Sequence, residues 1–116
     1  MTRWRATVEY DGTPFVAFAL LAALGLDAAY PELDLDSYLN ARGDDLVATS
    51  QGLCLASVDG FGAFIGAAFT RIDDYTTSNP LDTPAWQARL EETRLGKSAP
   101  EAPVFQYHAL VDEIVP

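Results

Sequence analysis

The sequence has few of the side chains that most often bind metals or form crosslinks. It contains one cysteine, Cys54, and one histidine, His108. A single cysteine excludes a disulfide within the chain, and a single histidine excludes a multi-histidine metal site. Lysine and arginine together number 7 against 17 acidic residues, a net charge of −10. Nucleic acids and anionic membrane surfaces attract positive potential, so this balance argues against both as partners.

Long hydrophobic runs are also missing. The most apolar stretch, VAFALLAALGL at residues 16–26, is too short to span a bilayer. Arg3 and Arg5 precede it, as basic residues precede the apolar region of a signal peptide. However, Glu9 and Asp11 intervene, and no small-x-small cleavage site follows. We therefore predict no transmembrane segment and no convincing signal peptide.

The remaining pattern predicts one small, mostly helical domain with a strand near each end. The chain of 116 residues is 49% hydrophobic, which is enough for a core. Residues 3–10, RWRATVEY, alternate like a half-buried strand, and residues 104–111, VFQYHALV, resemble a buried strand. Residues 15–29 are apolar nearly all round, which predicts a buried helix that is interrupted or ended near Gly25.

The middle of the chain predicts further helices. Asp34 or Asp36 is the expected N-cap of a second helix that runs towards Thr49. Gly43 divides this segment, so one helix and two short helices are both consistent with it.

The last helix has the clearest signals. The preceding segment at residues 52–69, GLCLASVDGFGAFIGAAF, contains glycines that argue against one regular helix, and a polar loop follows it. Thr83 is then the expected N-cap, with Pro84 at the first helical position. Trp86 and Leu90 share one stripe of this helix, which predicts that both are buried.

The pentapeptide ATSQG at residues 48–52 is close to the G-x-S-x-G nucleophile elbow. With His108 and Asp112 it would supply the three residue types of a catalytic triad. However, Ala48 stands where the sharp turn needs glycine, and no core strand directly precedes Ser50. The triad order of α/β-hydrolases also requires a histidine after the acid. We therefore consider Ser50 a poor candidate nucleophile and favour a polar helix end at this site.

No cofactor or metal is predicted. The carboxylate pairs at 44–45, 73–74, 91–92 and 112–113 do not match a calcium loop, and they are typical of solvated surface charge. No glycine motif has the spacing of a phosphate-binding loop. His108 lies within a strand-like run, which favours a packed, hydrogen-bonded histidine over a ligand or base.

Several segments together resemble the secretory lipase family of α/β-hydrolases, the fungal and actinobacterial triacylglycerol lipases. These are DGTPFVAFALLAALGLDAAYPEL, YLNARG, GLCL and FQYHALVDEIVP. The resemblance covers residues 11–116. It implies an α/β fold, of which this chain would hold a helical cap-like region at 11–99 and an incomplete sheet. Residues 100–116 would be a linker and a strand ending in an acid, and residues 1–10 an N-terminal strand of uncertain origin.

The resemblance also implies a function. By position, Asp112 matches the triad acid of a secreted triacylglycerol lipase, and the helical region matches the cap that covers the acyl-chain tunnel. Cys54 matches a cysteine that pairs with an upstream cysteine in complete members. The serine elbow, the oxyanion-hole segment and the catalytic histidine have no counterpart here. The expectation is therefore an interior part of a lipase, inactive alone, whose complete form takes a lipid or ester substrate.

Two other functions remain open at this point. One is a non-enzymatic module that binds acyl chains or a protein surface, and the other is a small esterase that uses Ser50. If the chain is part of a lipase, apolar cap surface left without its partners in the complete enzyme predicts self-association.

The start of the chain carries a second likeness. RATVEYDGTPF is similar to the first strand of tRNA pseudouridine synthase A. That family's catalytic aspartate motif is missing, and the acidic charge is wrong for tRNA. We therefore interpret the likeness as coincidence or as a joined segment.

Overall fold

The computed structural model describes residues 9–111, and these residues form a mostly helical structure, as predicted. Four α-helices lie wholly within the described residues: α1 (Val16–Ala29), α2 (Ala41–Ser50), α3 (Val58–Ala67) and α4 (Pro84–Thr93). Short 3₁₀ helices fill the connections, at Pro31–Leu33, Leu35–Tyr38, Ile72–Asp74 and Pro80–Asp82. The described residues contain no strand, and their β-pairing is limited to an isolated antiparallel bridge between Leu39 and Thr76.

The two predicted terminal strands are not seen. Residues 104–111 adopt neither helix nor strand, and all their side chains are exposed. A strand needs a neighbouring strand to satisfy its backbone groups, and no described segment pairs with this one. Most of the N-terminal prediction, residues 3–8, lies outside the described residues, whereas Glu9 and Tyr10 are helical. The α/β sheet implied by the resemblance is thus absent from residues 9–111.

Helix α1 runs through Gly25 without interruption, contrary to the prediction of a break there. No atom would lie within 4 Å of a Cβ at Gly25, so this glycine carries only its propensity cost. One side of the helix is buried, at Val16, Ala17 and Ala19. No single helix among residues 9–111 is long and apolar enough to cross a membrane. Taken together, α1 and the segment Pro31–Tyr38 are long and apolar enough for such a span, but the two are bent by 112° relative to each other.

Helix α2 begins later than predicted. Its N-cap is Asn40, whose side-chain oxygen accepts hydrogen bonds from the N–H groups of Arg42 and Gly43. Asp34 instead has a left-handed backbone, with φ of 49°, and it joins two 3₁₀ helices. Gly43 does not divide α2. It is buried, and a Cβ added there would lie 2.2 Å from the carbonyl oxygen of Tyr75. Glycine at this position therefore lets the backbone of Tyr75 lie close against α2.

Helix α3 runs regularly through Gly60, Gly62 and Gly66, so the expectation that these glycines argue against one regular helix is wrong for residues 58–67. The N-cap is Ser57, whose hydroxyl oxygen accepts from Gly60 N at 3.0 Å. A Cβ at Gly60 would lie 1.9 Å from the carbonyl oxygen of Cys54. At Gly62 and Gly66 nothing would lie within 4 Å. The glycine at 60 thus lets the 54–57 turn fold against the helix, and the cap offsets part of the propensity cost.

The buried side chains of the described chain form two clusters along α1. The first joins Val16 and Ala17 to Ala67 of α3. The second joins Leu33 and Leu35 to Trp86 of α4 and extends to the later turns of α1. Trp86 is fully buried, and its ring N–H donates to the carbonyl oxygen of Leu33 at 3.2 Å. Its burial confirms the predicted stripe of α4, with Leu90 beside it at 2% exposure.

The start of the described chain is tied to the segment after α3. Backbone hydrogen bonds of 2.9 Å run from Gly12 N to the oxygen of residue 70 and from Phe69 N to the oxygen of residue 13. The carboxylate of Asp11 accepts from Ile72 N at 2.8 Å. Phe69 has φ of 65°, a conformation that is rare for a bulky side chain. The surrounding hydrogen bonds hold it there.

Candidate functional site

Ser50 is the last residue of α2, not the corner of a strand-to-helix turn. Its hydroxyl donates to the carbonyl oxygen of Val47 at 3.0 Å. Gln51 then leaves the helix and Gly52 turns the chain with φ of 82°. A nucleophile elbow instead exposes its serine between a strand and a helix. The local geometry of Ser50 is that of a polar helix end.

The side chain of Ser50 borders an apolar cavity of about 90 Å³ between α1, α2 and α3. Leu20 and Leu24 of α1 line one side, and Phe64 of α3 lines another. Among the described residues that line it, Ser50 supplies the one polar side chain. A concave site lined mainly by hydrophobic side chains suits an apolar ligand. The cavity can therefore hold a short hydrocarbon group.

The mouth of this cavity is bordered by exposed leucines. Leu21, Leu53 and Leu55 line the cavity and are 46%, 39% and 47% exposed. An apolar chain that entered the cavity would therefore continue over leucine rather than over charged groups.

A second apolar cavity, of about 40 Å³, adjoins the first along α1. Leu20, Leu24 and Leu46 line both cavities. The side of the second cavity away from α1 is formed by Tyr75 and Leu90, among others. Helix α1 thus contributes leucine and alanine side chains to both cavities. The Ala- and Leu-rich composition of residues 15–29 was the sequence signal for this feature.

Of the other candidate triad residues, the described part of the chain includes His108, which does not line the cavity beside Ser50. His108 is exposed, and its Nδ1 lies 2.8 Å from the carbonyl oxygen of Ala109. The residues that line the cavity beside Ser50 include none from 104–111. Asp112 and Glu113 lie outside the described residues, so the assignment of Asp112 as triad acid remains a prediction.

Within residues 9–111, no group of three or more His, Cys, Asp or Glu side chains is placed to hold a metal ion. Cys54 is an exposed free thiol in this chain.

A charged cluster that the sequence analysis missed joins α4 to the turn after α1. The guanidinium of Arg89 bridges the carboxylates of Glu32 and Glu92, and it lies 4.4 Å from the centroid of the Tyr30 ring. A backbone hydrogen bond and the hydrogen bond from Arg89 lower the pKa of Glu32. The hydrogen bonds to Glu92 and Glu32 raise the pKa of Arg89. The cluster is exposed and links α4 to the 3₁₀ helix Pro31–Leu33.

Comparison with known proteins gives one consistent result. Residues 4–116 match the family described as "Secretory lipase". The chain is 31% identical to "Lipase A" of Moesziomyces aphidis, in an alignment covering 91% of this chain and 24% of that relative. The chain thus spans about a quarter of the length of this relative. No solved structure gives a significant match.

Proposed function

The chain belongs to the secretory lipase family, and from this premise we propose that it forms the helical cap and the acid-bearing segment of a secreted triacylglycerol lipase. The single observation that carries the proposal is the match over nearly the whole chain, residues 4–116. The name of the relative, Lipase A, is consistent with the reaction. Secretion is proposed on the same ground, since the family is described as secretory.

The helical arrangement supports a role in acyl-chain binding. A triacylglycerol presents long hydrocarbon chains, and burial of each methylene contributes about 0.8 kcal/mol. The cavity of about 90 Å³ beside Leu20, Leu24 and Phe64 is apolar except for Ser50. It is smaller than the cavity of about 150 Å³ that holds benzene. It therefore suits a short stretch of an acyl chain, with the rest lying over the exposed leucines at its mouth.

Asp112 is the proposed triad acid. It occupies the acid position of the DEIVP ending that resembles the family motif. In a serine hydrolase this carboxylate orients the histidine and stabilises its protonated form, and it does not attack the ester. Ester hydrolysis also needs a nucleophile, a base and oxyanion donors in one place. We therefore expect the 116-residue chain to have no esterase activity of its own.

The decisive experiment is a graft into the relative. Residues 11–116 would replace the matched region of Lipase A, and turnover would be measured on a triacylglycerol. We expect an active chimera. Asp112→Asn should lower turnover by about four orders of magnitude, as the same change of the triad acid does in a serine protease. Glu113→Gln should lower it far less, because adjacent residues in an extended chain point in different directions.

The two acid variants are matched controls for each other, since both replace a carboxylate by its amide. Equal losses, or a larger loss for Glu113→Gln, would show that Asp112 is not the triad acid. An inactive chimera with a native circular dichroism spectrum would count against the cap assignment itself.

The second candidate function is binding of acyl chains without catalysis, which the apolar cavity and its exposed leucines favour. Dodecanoate binding to the 116-residue chain would be measured by calorimetry. Ala63 lines the cavity, so Ala63→Leu should weaken binding by about tenfold or more. Ala56→Leu is the control, because Ala56 is exposed and does not line the cavity. If the two variants bind alike, the cavity is not the binding site.

A further inference from the structure

Three leucines form a wall between the two apolar cavities beside α1. Leu20 and Leu24 of α1 and Leu46 of α2 line both cavities. Residues 20 and 24 are four positions apart, so they lie on the same face of α1, and Leu46 faces them from α2. The first cavity, of about 90 Å³, and the second, of about 40 Å³, are thus adjoining spaces that share this leucine wall.

The second cavity lies among more deeply buried side chains than the first. Leu35 and Leu90 line it and are 5% and 2% exposed. The hydroxyls in its lining have partners: that of Thr76 donates to the carbonyl oxygen of Ile72 at 3.0 Å, and that of Tyr75 donates to a nearby threonine hydroxyl at 3.1 Å. A lining of this kind suits the hydrocarbon end of a ligand.

The three wall leucines differ in how firmly the core holds them. Leu20 packs against the first buried cluster, and Leu24 packs against the second. Among the described residues, Leu46 is not part of either cluster. It is therefore the wall side chain with the least support from the core, and its truncation disturbs the packing least.

We propose that the leucine wall sets the length of the acyl chain that this protein accepts, with Leu46 as the side chain that decides it. This inference rests on the proposed function, because its occupant is the acyl group of a lipase substrate. The acyl chain lies over the exposed leucines at the mouth, its methyl end enters the first cavity, and the wall stops it there. The second cavity lies beyond the reach of the methyl end.

The volumes give the number of carbons involved. A cavity of about 150 Å³ holds benzene, which corresponds to about 25 Å³ per carbon. On this scale the first cavity holds about three or four carbons, and the second holds about one or two. Leucine is larger than alanine by about three carbons, so Leu46→Ala should open the wall and let the methyl end advance by about four carbons.

The test is calorimetric binding of saturated fatty acids, from hexanoate to tetradecanoate, to the full chain below their critical micelle concentrations. Each buried methylene should lower the dissociation constant about fourfold. In the original chain this decrease should stop at the acid whose methyl end meets the wall. In Leu46→Ala it should continue through about four further carbons, so the longer acids should bind about 100-fold more tightly than they bind the original chain.

Two further variants separate the wall from the second cavity itself. Leu81→Ala is the matched control, because Leu81 lines the second cavity but not the first; the length limit should stay that of the original chain. Ala23 also lines the second cavity but not the first. Adding Ala23→Val to Leu46→Ala refills the second cavity, so the limit should retreat by about one or two carbons.

A milder variant keeps the test decisive if Leu46→Ala fails to fold, which circular dichroism would show. Leu46→Val shortens the wall side chain by about one carbon and costs less packing than alanine does. It should move the length limit by about one carbon in the same direction.

Three outcomes would overturn the inference. They are a folded chain that binds none of the acids, a limit that the folded Leu46 variants leave unchanged, and a limit that Leu81→Ala moves as far as Leu46→Ala does. The binding measurement needs no catalysis, so it can be set beside the chimera assay. A shifted limit with an inactive chimera would count against the lipase assignment alone, and an unshifted limit with an active chimera would count against the leucine wall alone.

Discussion

Replacing Gly60 by alanine should destabilise the chain, whereas the same change at Gly62 in the same helix should stabilise it. An alanine inside a helix is favoured over glycine by roughly 0.5–1 kcal/mol. At Gly62 nothing would lie within 4 Å of the new methyl group, so this gain should appear in full.

At Gly60 the new methyl group would lie 1.9 Å from the carbonyl oxygen of Cys54. That oxygen accepts hydrogen bonds from the backbone N–H of Ser57 at 2.9 Å and from its hydroxyl at 2.6 Å. To relieve the clash, the turn that holds the N-cap must move. Overpacking typically costs about 1–3 kcal/mol, and loss of a cap costs about 1 kcal/mol. The net effect should be a loss of about 1–3 kcal/mol.

The two variants should thus differ by about 2–4 kcal/mol in free energy of unfolding. Each variant adds one methyl group, and the two sites are two residues apart in the same helix. For a chain of this size the difference is roughly 8–16 °C in melting temperature. Thermal and urea unfolding followed by circular dichroism would measure it. If the two variants melt within about 2 °C of each other, the 54–57 turn does not pack on α3 as described.

Three further outcomes are expected. Ser50→Ala should leave hydrolysis of p-nitrophenyl butyrate by the full chain at background, and activity that the substitution removed would make Ser50 a nucleophile. Trp86→Phe should lower stability by about 1–3 kcal/mol in urea unfolding, since it removes the donor to the buried carbonyl of Leu33 and leaves a cavity; an unchanged midpoint would contradict this. The pKa of Glu32 is lowered from its ordinary value of 4.5, so the stability that its carboxylate contributes is present above pH 4.5 and is lost as the pH falls through the lower pKa of the folded chain. Glu32→Gln should therefore be less stable than the original chain at neutral pH and equally stable in acid.

The helices were predictable where short-range signals were strong. Thr83 and Pro84 marked the start of α4, and Trp86 and Leu90 marked its buried side, because caps and periodicity act within one or two turns. The glycines of α3 misled the prediction. The low helix propensity of glycine does not indicate that Gly60 lies against the carbonyl oxygen of Cys54, because that contact exists only in the folded chain.

The candidate site was less accessible to sequence reasoning. The cavity beside Ser50 is formed by three helices whose contacts lie far apart in the chain. The pairing of Arg89 with Glu32 depends in the same way on tertiary packing. The prediction of a strand at 104–111 is wrong for a related reason. The alternating aromatic residues indicate a buried face, but they do not show which segment would pair with these residues.

The position of α1 in the chain has a consequence for how the protein is made. This helix contributes leucine and alanine to both cavities, yet its partners in α3 and α4 follow much later in the sequence. At roughly 5–20 residues per second, a ribosome takes about 3–11 s to pass from Ala29 to Trp86. Throughout that interval the nascent chain presents an uncovered run of leucine and alanine, which a holding chaperone would recognise. The yield of folded protein in a cell should therefore depend on chaperone supply during synthesis as well as on the stability of the finished fold.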